Sequence, residues 1–342
     1  MHFYIHSLPP GVPISIPPSI SIPLFQISAQ LQLPPVLTYS DTVLYNWALK
    51  TSSTAIIPEP DNLRCQTLFT GTRDEEEFYL AAARLELRGV EALELMRATM
   101  DEVFVGDAIS IRRITTYLHK MTTVIKELQA NLMSVRENCN PDVFYHHIRP
   151  WFRGADSDPK SKWVFEGLEQ DSNLQEPTEL SGPSAGQSSL VHALDIFLGV
   201  DKYSHSSSLT GSSSYDTTKT TFLTRMQSYM PRHHRSFLNH LSSNPRPLRD
   251  MVSSAGDTKL LESYNAAVLA LKEFRDAHFI IVTLYIVGPA RRVTAAKLRD
   301  DPAAIVRVDG NPGPLKGTGG TELAKFLKGV RDRTAGALIS LT

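Results

Sequence analysis

The chain has 342 residues, enough for one large domain or two ordinary ones. An apolar share of 42% and a charged share of 21% exclude whole-chain disorder, and 35 Lys and Arg against 36 Asp and Glu leave no basic field for a nucleic-acid backbone. Two cysteines, Cys65 and Cys139, exclude a disulfide framework and a Cys-rich zinc module and fit a reducing compartment.

Met1 to Ser40 holds eight prolines and no Asp, Glu, Lys or Arg. Pro9, Pro10, Pro13, Pro17, Pro18 and Pro23 break every apolar run that would serve as a secretory signal. No stretch of about 20 consecutive apolar residues, the length of a membrane span, is found. Residues 1–32 read as a proline-stiffened lead-in and are expected to be irregular. From Asp41 onward the text is largely helical. Glu75 to Met96 sets Phe78, Ala82, Leu85, Val90, Leu93 and Met96 near a 3.6 period. Asp107 to Glu137 repeats the pattern with Ile111, Ile114, Leu118, Met121, Ile125, Leu128 and Leu132. Asn140-Pro141 supplies an N-cap followed by proline at the first helical position, and opens the short helix DVFYHHIRPWF.

Arg153 to Pro183 reads as a long loop, and a compact helix follows from about Gln187 to Leu198. Lys202 to Thr217 is Ser-rich and reads as a surface loop. Helices resume from Thr218. The longest covers about Thr258 to Val287, roughly 45 Å at 1.5 Å per residue, with Pro289 expected to stop it. Arg291 to Leu315 reads as irregular, and a terminal helix starts after Gly320. Without β-alternation of useful length or an internal repeat, the prediction is an all-α fold.

Several residues carry possible chemistry. His278 sits in the apolar middle of the long helix, with Phe274, Arg275 and Val282 one turn away and Leu271 two turns back. A satisfied core histidine is the plain reading, and an axial haem ligand is the functional one. Arg149 ends FYHHIR, with Tyr145 four residues earlier and Phe144 beside it. That pairing suits the ring and carboxylate of an aromatic amino acid, but equally a helix end whose arginine caps carbonyls. Ser188, His192 and Asp195 stand at i, i+4 and i+7 and invite a catalytic triad. Triads converge from different elements, so this one is rejected, and the Ser-Ala-Gly turn before it reads as a close backbone approach. KGTGGTEL, from Lys316, is a Gly-rich loop that follows no strand and fails the context of a phosphate loop; a hinged lid suits it better. His233, His234 and His240 lack metal-ligand spacing.

Together these pieces resemble the indoleamine 2,3-dioxygenases. The carrying text is LPPVLTYSDTVLYNW from Leu33, NPDVFYHHIRPW from Asn140, SGPSAGQSSLVHALDIFLG from Ser181, YMPRHHRSFLNHLSSNP from Tyr229, LKEFRDAHFIIVTLYI from Leu271 and KGTGGTELAKFLKGVR from Lys316. These stand in the family's order, and their proline and serine usage resembles fungal members. The resemblance implies an all-α fold: a large helical haem-binding catalytic domain over 71–342, a reduced small N-terminal domain and linker over 33–70, and the lead-in over 1–32. It begins near Leu33 and expects a folded segment before it. The chain is therefore expected to be a nearly complete catalytic core with a shortened or substituted front, as from a misplaced start codon.

The resemblance implies haem b as cofactor, with His278 as proximal iron ligand and Asp195 and Arg275 as a supporting pair. Phe144, Tyr145 and Arg149 would bind substrate, with Ser184 and Ala185 against the haem edge and Thr321 in a lid. Tyr39, Thr42, Phe78 and Ala82 would line the distal pocket. No side chain is expected to act as acid or base. Animal members have serine where this chain has Ala82; Tyr145 stands for a second phenylalanine and Pro183 for a glycine. The implied reaction is cleavage of the indole C2–C3 bond of L-tryptophan with O2 to N-formyl-L-kynurenine, in tryptophan catabolism by the kynurenine pathway and in NAD biosynthesis. An unidentified electron donor would keep the haem reduced. The expected protein is cytoplasmic and monomeric, with no nucleic-acid or membrane partner. The alternatives are a haem-binding paralogue with little or no turnover, acting as sensor or scaffold, and a helical interaction protein without haem. The joint presence of His278, Arg149, Asp195 and Arg275 speaks against the last, because buried charge is costly to keep.

Overall fold

Capping residues set the helix boundaries in the computed structural model, which describes residues 1–9, 11–157, 162–177, 179–200, 224–243, 248–300 and 323–340. Helices α1 (His2–Ser7) and α2 (Pro18–Leu31) come first. Helix α3 (Arg73–Arg88) starts at Thr72, whose hydroxyl accepts the Glu75 N–H at 3.2 Å. Buried Glu75 reaches back to accept the N–H groups of Phe69 and Thr70 at 2.8 and 2.7 Å. Helix α4 (Val90–Val105) ends at Gly106, which takes φ 70° at the cap. Asp107 then caps α5 (Ala108–Met133) through the N–H groups of Ile109 and Ser110, and this tight corner turns the chain so that α4 packs on α5.

The short α6 (Val135–Asn138) and α7 (Pro141–Val143) lead into a π-helical turn, Phe144–Ile148, and a 3₁₀ turn, Arg149–Phe152. Then come α8 (Ser189–Phe197), α9 (Arg232–Ser243), α10 (Leu248–Ser254), α11 (Thr258–Val282), α12 (Gly288–Asp300) and α13 (Leu323–Gly336). The fold is helical, as expected, apart from short strands. β1 (Ile14–Ile16) pairs in parallel with β4 (Trp163–Phe165), and β2 (Trp47–Leu49) is antiparallel to β3 (Leu63–Cys65).

Three expectations need correction. The first 32 residues are not irregular: they form α1, β1 and α2. Pro18 occupies the start of α2, where a missing N–H costs nothing, and Ile16 and Phe25 bury against Trp163, Phe165, Leu180 and Tyr229. The packing surface lies far along the chain, beyond the reach of local pattern. Second, Pro289 does not stop the long helix. A π-helical turn, Thr283–Val287, follows α11, the Gly288 N–H reaches back to Thr283 O, and the wider turn admits the proline ring near the start of α12. Third, residues 291–300 are therefore helical rather than irregular. The resulting stretch Thr258–Ala296, 39 residues, is long and apolar enough by length and composition to cross a membrane, although Arg275, Asp276, Arg291 and Arg292 interrupt its apolar runs. It is also the central packing element here: Leu260, Tyr264, Val268, Leu271 and Phe274 belong to the main core with α4, α5 and α8. The Ser-rich segment 202–217, the onset of helix at Thr218 and the Gly-rich loop with Thr321 lie outside the described residues.

A second cluster unites Leu63, Tyr79, Leu80, Phe144, Ile148 and Phe152 with Ile281 and Tyr285 of the long helix. Along that helix Phe274 belongs to the first core and Ile281 to the second, so His278 falls at their seam.

Candidate functional site

One turn before His278, Arg275 is 8% exposed and grips Asp195 of α8 with one nitrogen, at 2.5 and 2.6 Å to the two carboxylate oxygens. Its other terminal nitrogen donates to Thr334 of α13. Three helices thus meet behind the histidine, two of them anticipated; Thr334 gave no sequence signal, because its partner is 59 positions away. His278 itself is half-buried, and neither ring nitrogen makes a hydrogen bond among the described residues. Burial, and then the positive charge of Arg275, push its imidazole down to about 4, so it stays neutral with a lone pair to offer. A satisfied core histidine would have a partner. A half-buried neutral imidazole without one among the described residues, at the seam of two cores and braced by an ion pair, fits an iron ligand.

The other wall is aromatic. Phe78 of α3 lies 4.4 Å from Phe144, centroid to centroid, and 5.9 Å from Phe152; Tyr285 meets Phe144 edge-on at 5.7 Å. Phe144 is buried, and Tyr145 next to it turns elsewhere: the Arg149 guanidinium sits over its ring at 5.4 Å. Burial lowers the affinity of Arg149 for its proton, with the Tyr145 hydroxyl acting the other way. Phe152 and Tyr285 are members of this wall that motif reading missed.

Two glycines bring the next piece alongside. A Cβ on Gly182 would lie 1.8 Å from the carbonyl oxygen of Phe152, and one on Gly154 2.0 Å from that of Leu180. Only bare backbone permits this crossing, which sets the turn carrying Arg149 beside the turn carrying Ser184. Ser184 is half-buried and accepts the Gly186 N–H at 3.2 Å; Ala185 is exposed. Buried His192 meets Gly186 O at 2.9 Å through Nε2, while Ser188 bonds Glu86 and Asp195 bonds Arg275. The three side chains of the rejected triad thus go to three different partners.

Tyr39 is held at both ends. Its N–H donates to Gln187 Oε1 at 2.8 Å and its hydroxyl to Glu86 Oε1 at 3.0 Å. Gln187 in turn donates to Gly182 O at 2.9 Å. The Thr42 hydroxyl is engaged within its own turn by Thr38 O and Tyr39 O. Half-buried Ala82 packs with Tyr39, Val43 and Ala83. The structure therefore brings Phe78 and Phe144 together, Tyr145 with Arg149, Tyr39 with Ala82, and Asp195 with Arg275 beside His278. His234 bonds Ser189 at 2.7 Å, and no group of metal-binding residues of the usual kind occurs among the described residues.

A family profile described as indoleamine 2,3-dioxygenase matches residues 1–337. The match starts ahead of Leu33, so the proline-rich front is part of it. A human protein, indoleamine 2,3-dioxygenase 2, is 31% identical over 326 residues, covering 95% of this chain and 73% of its own length. The indoleamine 2,3-dioxygenase of Saccharomyces cerevisiae is 33% identical over 351 residues, covering 97% of this chain and 75% of its own. A 6-hydroxytryptophan 2,3-dioxygenase of Fusarium equiseti is 30% identical over 326 residues, covering 93% and 74%. The chain spans about three quarters of the length of these relatives.

Proposed function

The chain belongs to the indoleamine 2,3-dioxygenase family of haem dioxygenases, and from that premise we propose that it cleaves the indole C2–C3 bond of L-tryptophan with O2 to give N-formyl-L-kynurenine. The observation that carries this reading is His278: a neutral, desolvated imidazole without a hydrogen bond among the described residues, backed by the Arg275–Asp195 pair. When bound, haem supplies the iron chemistry that activates dioxygen.

The chain's own residues bind, orient and exclude water. His278 would hold the iron, while Arg275, Asp195 and Thr334 fix the helix that presents it. Phe78, Phe144 and Phe152 offer ring faces against which an indole packs. Arg149 carries the positive charge that pairs with the amino-acid carboxylate, and Tyr145 holds the guanidinium in place. Ala82 has no hydroxyl and that of Thr42 is engaged, so neither serves as an acid or base. The pocket's work is positioning in a dry site.

The test is purification followed by reduction and assay. A Soret band, and ultraviolet absorbance of formylkynurenine from L-tryptophan, are the expected results. 6-Hydroxytryptophan, the substrate in the name of the Fusarium equiseti relative, is the comparison substrate. Haem without product from either would favour a sensor or scaffold, and absence of haem would overturn the reading.

A further inference from the structure

Phe78, Ala82 and Glu86 follow one another at four-residue steps on α3, and all three are half-buried, while Tyr79, Leu80, Ala81, Ala83 and Leu85 are sealed. This strip meets, turn by turn, the aromatic wall, the segment that carries Tyr39 and the cap of α8. Phe78 touches Phe144, Ala82 packs with Tyr39, and Glu86 receives two hydroxyls. Tyr39 and Ser188 donate to the same carboxyl oxygen, Oε1, at 3.0 and 2.6 Å. Oε2 accepts no hydrogen bond from the described residues, and no Lys, Arg or His among them pairs with this carboxyl. Among the described residues a phenol and an alcohol bond to it, one from the segment before α3 and one from the cap of α8.

We propose that Glu86 is a positioning residue of the haem-and-substrate cavity: Oε1 clamps the Tyr39 phenol to the Ser188 cap, and Oε2 carries a proton that it presents as a donor one turn from Ala82. The occupant of the cavity rests on the function proposed above; the clamp does not. With no cation paired to it among the described residues, desolvation of this carboxyl outweighs the two hydroxyl donors and favours the acid relative to a free side chain. Burial raises its proton affinity, and the hydrogen bonds from Ser188 and Tyr39 work in the opposite direction. The clamp does a second job. With Gln187 it fixes Tyr39 at both ends, and so joins the segment before α3 to the turn that carries Ser184. The donor is suited to an acceptor atom of a cavity ligand, at a level of the strip where Ala82 offers only a methyl group.

The experiment compares wild type, Glu86→Gln, which keeps a neutral donor and acceptor, and Glu86→Ala. It reads three quantities: the carboxylic-acid C=O infrared band in haem-free and haem-loaded protein, the C–O stretch of carbon monoxide on reduced haem, and KM and kcat for tryptophan. We expect an acid band at neutral pH that shifts in D2O and is lost in both variants. The C–O stretch should move in Glu86→Ala and return in Glu86→Gln. KM should rise about tenfold in Glu86→Ala, the worth of about one hydrogen bond, with a smaller change in kcat. Absence of the acid band overturns the proposal, and so does an unchanged C–O stretch in Glu86→Ala with haem bound. Protein that takes up no haem overturns the dioxygenase reading instead, and the band in haem-free protein still decides the state of the carboxyl. Should Glu86→Ala fail to fold, Tyr39→Phe and Ser188→Ala each remove one donor: a moved stretch supports the clamp and an unmoved one overturns it.

Discussion

Behind His278, three helices are joined through charge: Asp195 on α8, Arg275 on α11 and Thr334 on α13. Around Phe144 the elements are joined through ring contacts, and Glu86 there is clamped by hydroxyls with no cation facing it among the described residues. The two sides respond differently to damage. A buried ion pair fixes geometry tightly but becomes a liability when one member goes, because the other is left charged in a dry site. Aromatic packing loses contact area in steps and can partly relax. The first arrangement suits a residue that must hold a metal at one angle. The second suits a wall that must admit a ring and shed it again.

The largest effect is expected at the point where the two sides meet. His278→Ala should abolish the Soret band of the purified protein; an unchanged spectrum would remove His278 as ligand and dissolve the contrast. Next is Asp195→Ala, which strands Arg275. Removal of one partner of a buried pair costs about 3–5 kcal/mol, and the partial exposure of Asp195, 15%, places this case near the lower end. Urea unfolding and the rate of haem loss measure it. A cost under about 1 kcal/mol would class the pair with surface salt bridges and break the comparison.

On the aromatic side Arg149→Ala should raise KM for tryptophan about 10- to 100-fold, the loss of charge-assisted hydrogen bonds, and leave haem content alone. Parallel loss of haem would make Arg149 structural. The smallest effect is a pair of opposite pH slopes in haem-free protein. His278 is held at about 4 against 6.5 for a free imidazole. The unfolded chain takes up that proton first, so stability falls as pH drops from about 6.5 towards 4. Buried His192, also lowered by burial, acts in the same direction. Glu86 is raised above 4.5, so its contribution is present below that pH and is lost as pH rises through its folded-state value. The Tm of Glu86→Gln relative to wild type should therefore climb with pH across that upper window. A flat difference would mean that the carboxyl is already ionised.

Much of this was legible in the chain, because it is local. The periods of α3, α5 and α11 sit in consecutive residues, and so do the caps Asp107 and Asn140. The order of motifs from Tyr39 to His278 needed no coordinates. The Tyr145–Arg149 contact follows from a four-residue step, and the broken triad follows from three side chains splayed along one helix.

Tertiary structure decided the rest, and in each case the missing information was a distant partner. Residues 1–32 fold because Trp163 and Phe165 cover them. The helix runs past Pro289 through a π turn. Gly154 and Gly182 are required because two backbone segments cross there. Glu86 is set apart on α3 by what reaches it: Tyr39 from 47 positions away and Ser188 from 102. A sequence determines which helices form and which side chains share a face, since those depend on neighbours a few residues apart. Whether a carboxyl on such a face meets water, a cation or two hydroxyls depends on which elements close over it, and that sets whether it carries a charge or a proton.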